Sequence, residues 1–218
     1  MPTVLLTRPQ QDSDALAAAL AERGIASIIS PVITIKRQPV PPIATPIDGI
    51  ILTSRHALHA TAGLTAPCYV VGAHTAQVAQ NYGLHVVAQA ETAEALAQLL
   101  PADQCYYYPS GAHVPHDFTH AIRVIAYTAE ASSTLSEQAI IAIRNHQLHG
   151  AALFSPRSAQ IFCGLITHHN LQEQLKYVNA YCISEHTARQ CKVLAWKQIR
   201  TASSPNQKAM IALLKQSS

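Results

Sequence analysis

The chain alternates short apolar runs with longer stretches in which apolar residues return every three or four positions. The short runs, bounded by turn-forming residues, read as strands buried on both faces, and the longer stretches as amphipathic helices that cover them. Strands are expected at residues 4–6, 26–29, 50–52, 69–71, 85–87, 106–108, 123–125, 151–154, 181–183 and 198–200. A helix over 14–23 would bury Leu16 and Leu20 and end at Gly24, and one over 75–82 would end at Gly83. Glycine suits the left-handed residue that closes a helix. Thr92 is placed to cap a helix carrying Leu96, Leu99 and Leu100, and Pro205 to open a last helix burying Met210, Leu213 and Leu214. This alternation predicts an α/β protein with parallel sheets flanked by helices.

Part of the pattern is written twice, a sign of internal duplication. Ile51-Leu52-Thr53-Ser54-Arg55-His56-Ala57 resembles Leu153-Phe154-Ser155-Pro156-Arg157-Ser158-Ala159. Val71-Gly72-Ala73-His74-Thr75-Ala76 resembles Ile183-Ser184-Glu185-His186-Thr187-Ala188, and each copy continues into an Ala/Leu-rich helix, over 95–100 and 209–214. In the middle copy, strands at 106–108 and 123–125 follow the repeated part; in the other, the matching strands at 4–6 and 26–29 stand at the beginning of the chain. The expectation is therefore two similar lobes, each a five-stranded parallel sheet, with one inserted into the other. Lobe 1 would comprise 1–33 plus 132–218 and lobe 2 residues 38–126. Linker strands at 34–37 and 127–131 would pair as an antiparallel ribbon and act as a hinge, closing the lobes on a ligand held between them.

Composition narrows the class. Hydrophobic residues make up 49% of 218 and charged residues 12%, enough apolar material for two cores and too little charge for a disordered chain. The net charge of +3 is spread over scattered residues such as Arg8, Arg37, Arg55, Arg123 and Arg157, without the basic stripe of a nucleic-acid binder. No apolar run approaches the ~18 residues of a membrane span, and the N-terminus lacks a signal-peptide pattern, so Met1 reads as a native start and the protein as cytoplasmic. Cys68, Cys105, Cys163, Cys182 and Cys191 form no C-x-x-C pair and read as reduced thiols. His56 and His59, or His113, His116 and His120, lack a carboxylate or cysteine set at ligand spacing; surface histidines are expected and no metal.

In open parallel sheets, ligands bind beyond the carboxyl ends of the strands, where helix N-termini present N–H groups. The residues falling there are Thr7, Arg8, Thr53, Ser54, Arg55, Gly72, Pro109, Ser110, Gly111, Ser155, Pro156, Arg157, Ser158, Ser184, His186 and Thr187. Hydroxyls, glycines and arginines outnumber acids, which suits a ligand with several carboxylates or phosphates. Any one Ser or Thr here reads first as a helix N-cap with no ligand; it is the same residue types recurring on both rims that point to binding. Neither G-x-G-x-x-G, G-x-x-x-x-G-K-[ST] nor G-x-S-x-G occurs, and no Ser–His–Asp or Cys–His grouping stands out.

Taken together, Thr7-Arg8-Pro9, Thr53-Ser54 with Ala57, Val71-Gly72 with Thr75-Ala76, Pro109-x-Gly111, Tyr127-Thr128, Phe154-Ser155-Pro156 with Ala159, and Ile183 with Thr187-Ala188 resemble the uroporphyrinogen-III synthase family, in order across essentially the whole chain. The resemblance implies two flavodoxin-like lobes joined by a two-stranded ladder. It implies a cofactor-free lyase of tetrapyrrole and haem biosynthesis acting on a linear tetrapyrrole. The chain itself, with no large apolar surface stripe, no basic stripe and no spanning run, suggests a monomer with no nucleic-acid or membrane partner. On this reading hydroxymethylbilane loses its hydroxyl, ring D is inverted through a spiro intermediate, and the macrocycle closes as uroporphyrinogen III. Tyr127 matches the family tyrosine that assists departure of the hydroxyl. A phenol holds its proton at neutral pH and can donate it. Ser184 stands where the family usually has glycine, and the 113–123 segment is shorter than usual, so a clipped helix is expected there. The alternative class is a non-catalytic two-lobe module that binds a polycarboxylate.

Overall fold

The computed structural model describes residues 2–114 and 116–216. Met1, read above as the native start, and Pro115, inside the 113–123 segment, lie outside the described residues. In chain order the elements begin with β1 (Thr3–Leu6), α1 (Gln10–Ala21), β2 (Ala26–Ile29), β3 (Ile33–Arg37) and β4 (Gly49–Leu52). A 3-10 helix (Arg55–Thr61), β5 (Cys68–Val71), α2 (Ala73–Asn81), β6 (Val86–Ala90), α3 (Ala93–Ala97), β7 (Tyr106–Gly111) and β8 (Ala121–Ala131) follow. The chain closes with α4 (Glu137–Arg144), β9 (Gly150–Leu153), α5 (Pro156–His168), a 3-10 turn (Gln174–Tyr177), β10 (Asn179–Cys182), α6 (Glu185–Cys191), β11 (Gln198–Thr201) and α7 (Gln207–Lys215).

These elements form two compact units, residues 1–34 with 130–218 and residues 35–129. The first holds a five-stranded sheet in the order β2-β1-β9-β10-β11, every neighbour parallel. The second holds a six-stranded sheet, β3-β8-β7-β4-β5-β6, with parallel pairing from β8 to β6. Leaving β3 aside, the two orders superimpose: β7 and β8 take the places of β1 and β2, and β4, β5 and β6 those of β9, β10 and β11. The duplication seen in the sequence is thus a repeated sheet whose strands enter in a permuted order.

Central strands are apolar along their whole length because helices cover both faces. Every residue of β4, β9 and β10 is buried. In the first unit, Val4, Leu6, Tyr181 and Ile183 pack with Leu16 and Leu20 of α1 and with Met210, Leu213 and Leu214 of α7. Gly150 is required by its neighbour, since a Cβ there would run into the ring of Tyr181. In the second unit, Ile50 and Leu52 face Ala57, Leu58, Ala76 and Ala79, while Ile51 lies on the other face with Tyr106, Tyr108 and Leu96.

Several expected elements are shifted. Residues 123–125 and the linker 127–131 are one eleven-residue strand, β8, because Ala126 between them is buried and its carbonyl accepts an N–H from the chain just after β3. The other linker strand, β3, lies beside β8, so the second sheet has six strands. Gln38 N–H donates to Ala126 O at 2.8 Å and Ser132 N–H to Val32 O at 2.9 Å, so numbering rises on one strand as it falls on the other and the pair is antiparallel. The first helix starts at Gln10, four residues before the expected Asp14, directly after Pro9. The helix expected over 75–82 starts at Ala73, behind Gly72 with φ 83°. Leu99 is 52% exposed because α3 ends at Ala97. The last helix is capped by Asn206, whose Oδ1 accepts the Ala209 N–H at 2.9 Å, and not opened by Pro205. Between β7 and β8, where a clipped helix is expected, no helix occurs among the described residues.

Candidate functional site

Both sheet orders contain a switch point. From β1 the chain crosses to β2 on one side, whereas β9 and its successors lie on the other; in the second unit the same reversal falls between β7 and β4. Connections leaving toward opposite faces open a crevice at the carboxyl ends of the two strands, the usual ligand position in such sheets. Thr7 and Ser155 flank that position in the first unit, and Thr53 and Gly111 in the second.

In the second unit, β4 delivers Thr53, whose Oγ1 lies 3.2 Å from the Tyr108 hydroxyl. Ser54, in extended backbone, caps the 3-10 helix and accepts the His56 N–H at 3.3 Å. Arg55 is the first residue of that helix and is half-buried. Gly72 sits at the head of α2 with φ 83°, a left-handed backbone that glycine tolerates, and donates its N–H to Ala90 O at 2.9 Å. On β7, Ser110 is fully buried. Its hydroxyl accepts Arg123 Nε at 3.0 Å, and Arg123 Nη2 donates to Gly111 O and Ala112 O, each at 3.0 Å. Where another βα turn would present helix N–H groups, this turn is closed by a guanidinium. Burial raises the Tyr108 phenol above its ordinary pKa, against the lowering effects of the Thr53 hydrogen bond and the Arg123 charge.

Tyr127 lies in β8 opposite Gly111. Its ring is half-buried, packed on the core that contains Ile50, Leu52 and Ala57, and meets the His56 ring edge-on with centroids 5.6 Å apart.

In the first unit, Thr7 is fully buried and its hydroxyl donates to Ala152 O at 2.9 Å, tying β1 to β9. Arg8 stacks over the Phe154 ring at 4.6 Å, pairs with Asp12 at 3.3 Å and donates to Gln207 Oε1 at 3.0 Å. Burial lowers its pKa, yet a guanidinium remains charged. Two caps repeat one design. Ser155 Oγ accepts the Ser158 N–H at 3.0 Å and lies 2.8 Å from Ser158 Oγ. Ser184 Oγ accepts the Thr187 N–H at 3.3 Å and lies 3.1 Å from Thr187 Oγ1. Ser158 and Thr187 are buried, whereas Arg157 and His186 are exposed. Ser184, expected to be a glycine position, has φ −155°, extended backbone that any residue adopts, so a side chain costs nothing there.

Thr53, Ser54, Arg55, Gly72, Ser110, Gly111 and Tyr127 thus lie in one unit and Thr7, Arg8, Ser155, Arg157, Ser158, Ser184, His186 and Thr187 in the other. Ser54, Ser155 and Ser184 are N-caps, as the plain reading of such residues held. Tyr108, His56 and Arg123 touch Thr53, Tyr127 and Ser110 respectively and were not among the expected residues. Among the described residues, no three His, Cys, Asp or Glu side chains converge as a metal site, and no helix is long and apolar enough to cross a membrane.

Comparison with known proteins bears on this arrangement. A family model described as uroporphyrinogen-III synthase HemD matches residues 14–212. The chain is similar to the solved uroporphyrinogen-III synthetase of Helicobacter pylori, with TM-score 0.64, 15% identity and 99% of each chain covered. It is also similar to a mutant uroporphyrinogen III synthase of Thermus thermophilus, with TM-score 0.56 and 17% identity over 100% of this chain and 98% of that one. At such identities the structural likeness speaks for the fold. No curated protein matches the sequence.

Proposed function

From the premise that this chain belongs to the uroporphyrinogen-III synthase family, we propose that it cyclises hydroxymethylbilane to uroporphyrinogen III with loss of water and inversion of ring D. The observation that carries the reading is the family match over residues 14–212. The site chemistry supports it. A substrate with eight carboxylates calls for donors, and the carboxyl-end rims carry Arg8, Arg55 and Arg157, hydroxyls at Thr53 and Ser155, and backbone N–H groups at the head of α2.

Hydroxide leaves poorly, so the first step needs a proton at the departing oxygen. Tyr127 is assigned that donation; the hydroxyl leaves as water, and closure of the macrocycle releases a proton from a pyrrole carbon, which restores the balance. Bond making is done by the electron-rich pyrroles. The protein's larger task is to hold the linear chain so that the inverting closure outruns the spontaneous, non-inverting one, a matter of positioning more than of reactive side chains. In this reading Gly72, Ser110, Gly111, Ser184, His186 and Thr187 shape the rims, and the reaction takes place in the cytoplasm on a monomer without a cofactor.

The test is a coupled assay in which hydroxymethylbilane is generated enzymatically and the product isomers are separated. Type III uroporphyrinogen is expected in excess. Type I alone, formed at the spontaneous rate, would overturn the assignment and leave a binding module of the same fold.

A further inference from the structure

The β7–β8 ladder carries an irregularity at the proposed proton donor. Pairing runs in step from Tyr106↔Ala121 to Ser110↔Ile125, then jumps to Gly111↔Tyr127. Ala126 is the extra residue, fully buried in the core with Ile50 and Leu52. Such a bulge re-aims the residue after it. Without it, Gly111 would face Ala126 and the tyrosine would lie one step further along. With it, Tyr127 lies across from Gly111, on the same face of the sheet.

That face is free only because residue 111 has no side chain. A Cβ at Gly111 would lie 2.9 Å from Tyr127 Cζ and 3.0 Å from both Cε2 and Oη. These separations are below van der Waals contact, and the atoms met include the hydroxyl itself. Nothing about the Gly111 backbone demands glycine; the ring does. The seat is also held still. Arg123 grips the carbonyls of Gly111 and Ala112 and the hydroxyl of Ser110, and the Ala112 N–H donates to Tyr127 O at 3.2 Å.

We infer that Gly111 is a positioning residue for the Tyr127 hydroxyl, its missing side chain forming the seat in which the phenol lies. The inference deepens the proposed function and rests on it for the role of the hydroxyl, but the seat itself is a packing statement that stands apart. It also changes the reason for a glycine at this rim: the backbone is left bare for a side chain of the same unit, not for a ligand.

The experiment is a double-mutant cycle with two readouts. Gly111→Ala is expected to lower kcat by about 10²-fold, since a displacement near 1 Å of a reacting group has that order of effect. KM should change little. In the Tyr127→Ala background, where the space is vacated, Gly111→Ala should change neither kcat nor Tm further. In the native background it should lower Tm. If Gly111→Ala raises KM alone, or lowers Tm equally in both backgrounds, the inference is overturned. A Gly111→Ala protein that fails to fold, while the double variant folds, supports it; failure of both overturns it. The Tm cycle needs no substrate. Coupling in Tm without any type III product would sink the proposed reaction and leave the seat standing.

Discussion

Tyrosine on a β-strand is ordinarily a packing residue, and Tyr106, Tyr107 and Tyr108 of this chain, each 1% exposed, are packing residues by burial. Tyr127 differs in being half-buried at a bulge, with its hydroxyl over a bare glycine backbone. Tyr127→Phe keeps the ring in its seat and removes only the donor. It is expected to lower kcat about 10²-fold, the order of one acid–base contribution, with KM nearly unchanged; steady-state kinetics with isomer separation measures both, and undiminished turnover would take Tyr127 out of the mechanism. Tyr181 presents the opposite situation. It is fully buried, and its hydroxyl has no hydrogen-bond partner among the described residues. An unsatisfied buried hydroxyl costs about 1 kcal/mol or more. Tyr181→Phe should therefore stabilise the protein by about 1 kcal/mol, read as a higher urea midpoint at unchanged m. A lower midpoint would mean that the hydroxyl is satisfied.

At the scale of elements, the Ser and Thr caps of α3, α5 and α6 were readable from the chain, whereas the starts of α1, α2 and α7 and the strand register were not. A Ser or Thr after an apolar run announces a cap because its short side chain reaches the third N–H of the helix. Thr92, Ser155 and Ser184 do this at 3.2, 3.0 and 3.3 Å. Ser184 offers a test, since its extended backbone does not need glycine while its hydroxyl serves α6. Ser184→Ala should cost about 1 kcal/mol and Ser184→Gly only a few tenths, because glycine caps nearly as well as a hydroxyl residue; thermal melts of the pair decide it, and equal losses would show that the hydroxyl acts elsewhere. The bulge at Ala126 left no local mark. Nothing in Ile125-Ala126-Tyr127 distinguishes a bulge from a regular strand, and only pairing with β7 creates it. Arg123 was hidden for the same reason, since its partners are carbonyls of a turn on another strand. Tyr127 itself was recognised through family resemblance, as no spacing rule singles out a lone phenol.

At the scale of the molecule, the permuted repeat makes a prediction about folding units. Residues 35–129 run without interruption through five parallel strands and β3, whereas the first unit is assembled from both ends of the chain. The break in the first unit is narrow. Ser132 N–H bonds to Val32 O at 2.9 Å and Ser132 Oγ to Pro31 O at 2.8 Å, so the chain leaves and re-enters at one antiparallel pair. Continuing that register sets Thr34 against Glu130, the spacing a two-residue hairpin closes. A chain in which Asn-Gly joins Thr34 to Glu130, deleting 35–129, is expected to fold cooperatively into the five-stranded sheet, because β2, β1, β9, β10 and β11 with α1, α5 and α7 all remain. The excised 35–129 segment should likewise unfold as a single transition, and neither piece alone should produce type III uroporphyrinogen. Circular dichroism during urea titration checks both, and m should scale with the surface each exposes. If the joined chain stays unfolded while the full protein is stable, the first sheet depends on the inserted unit for its core, and the repeat is one folding unit written in two halves.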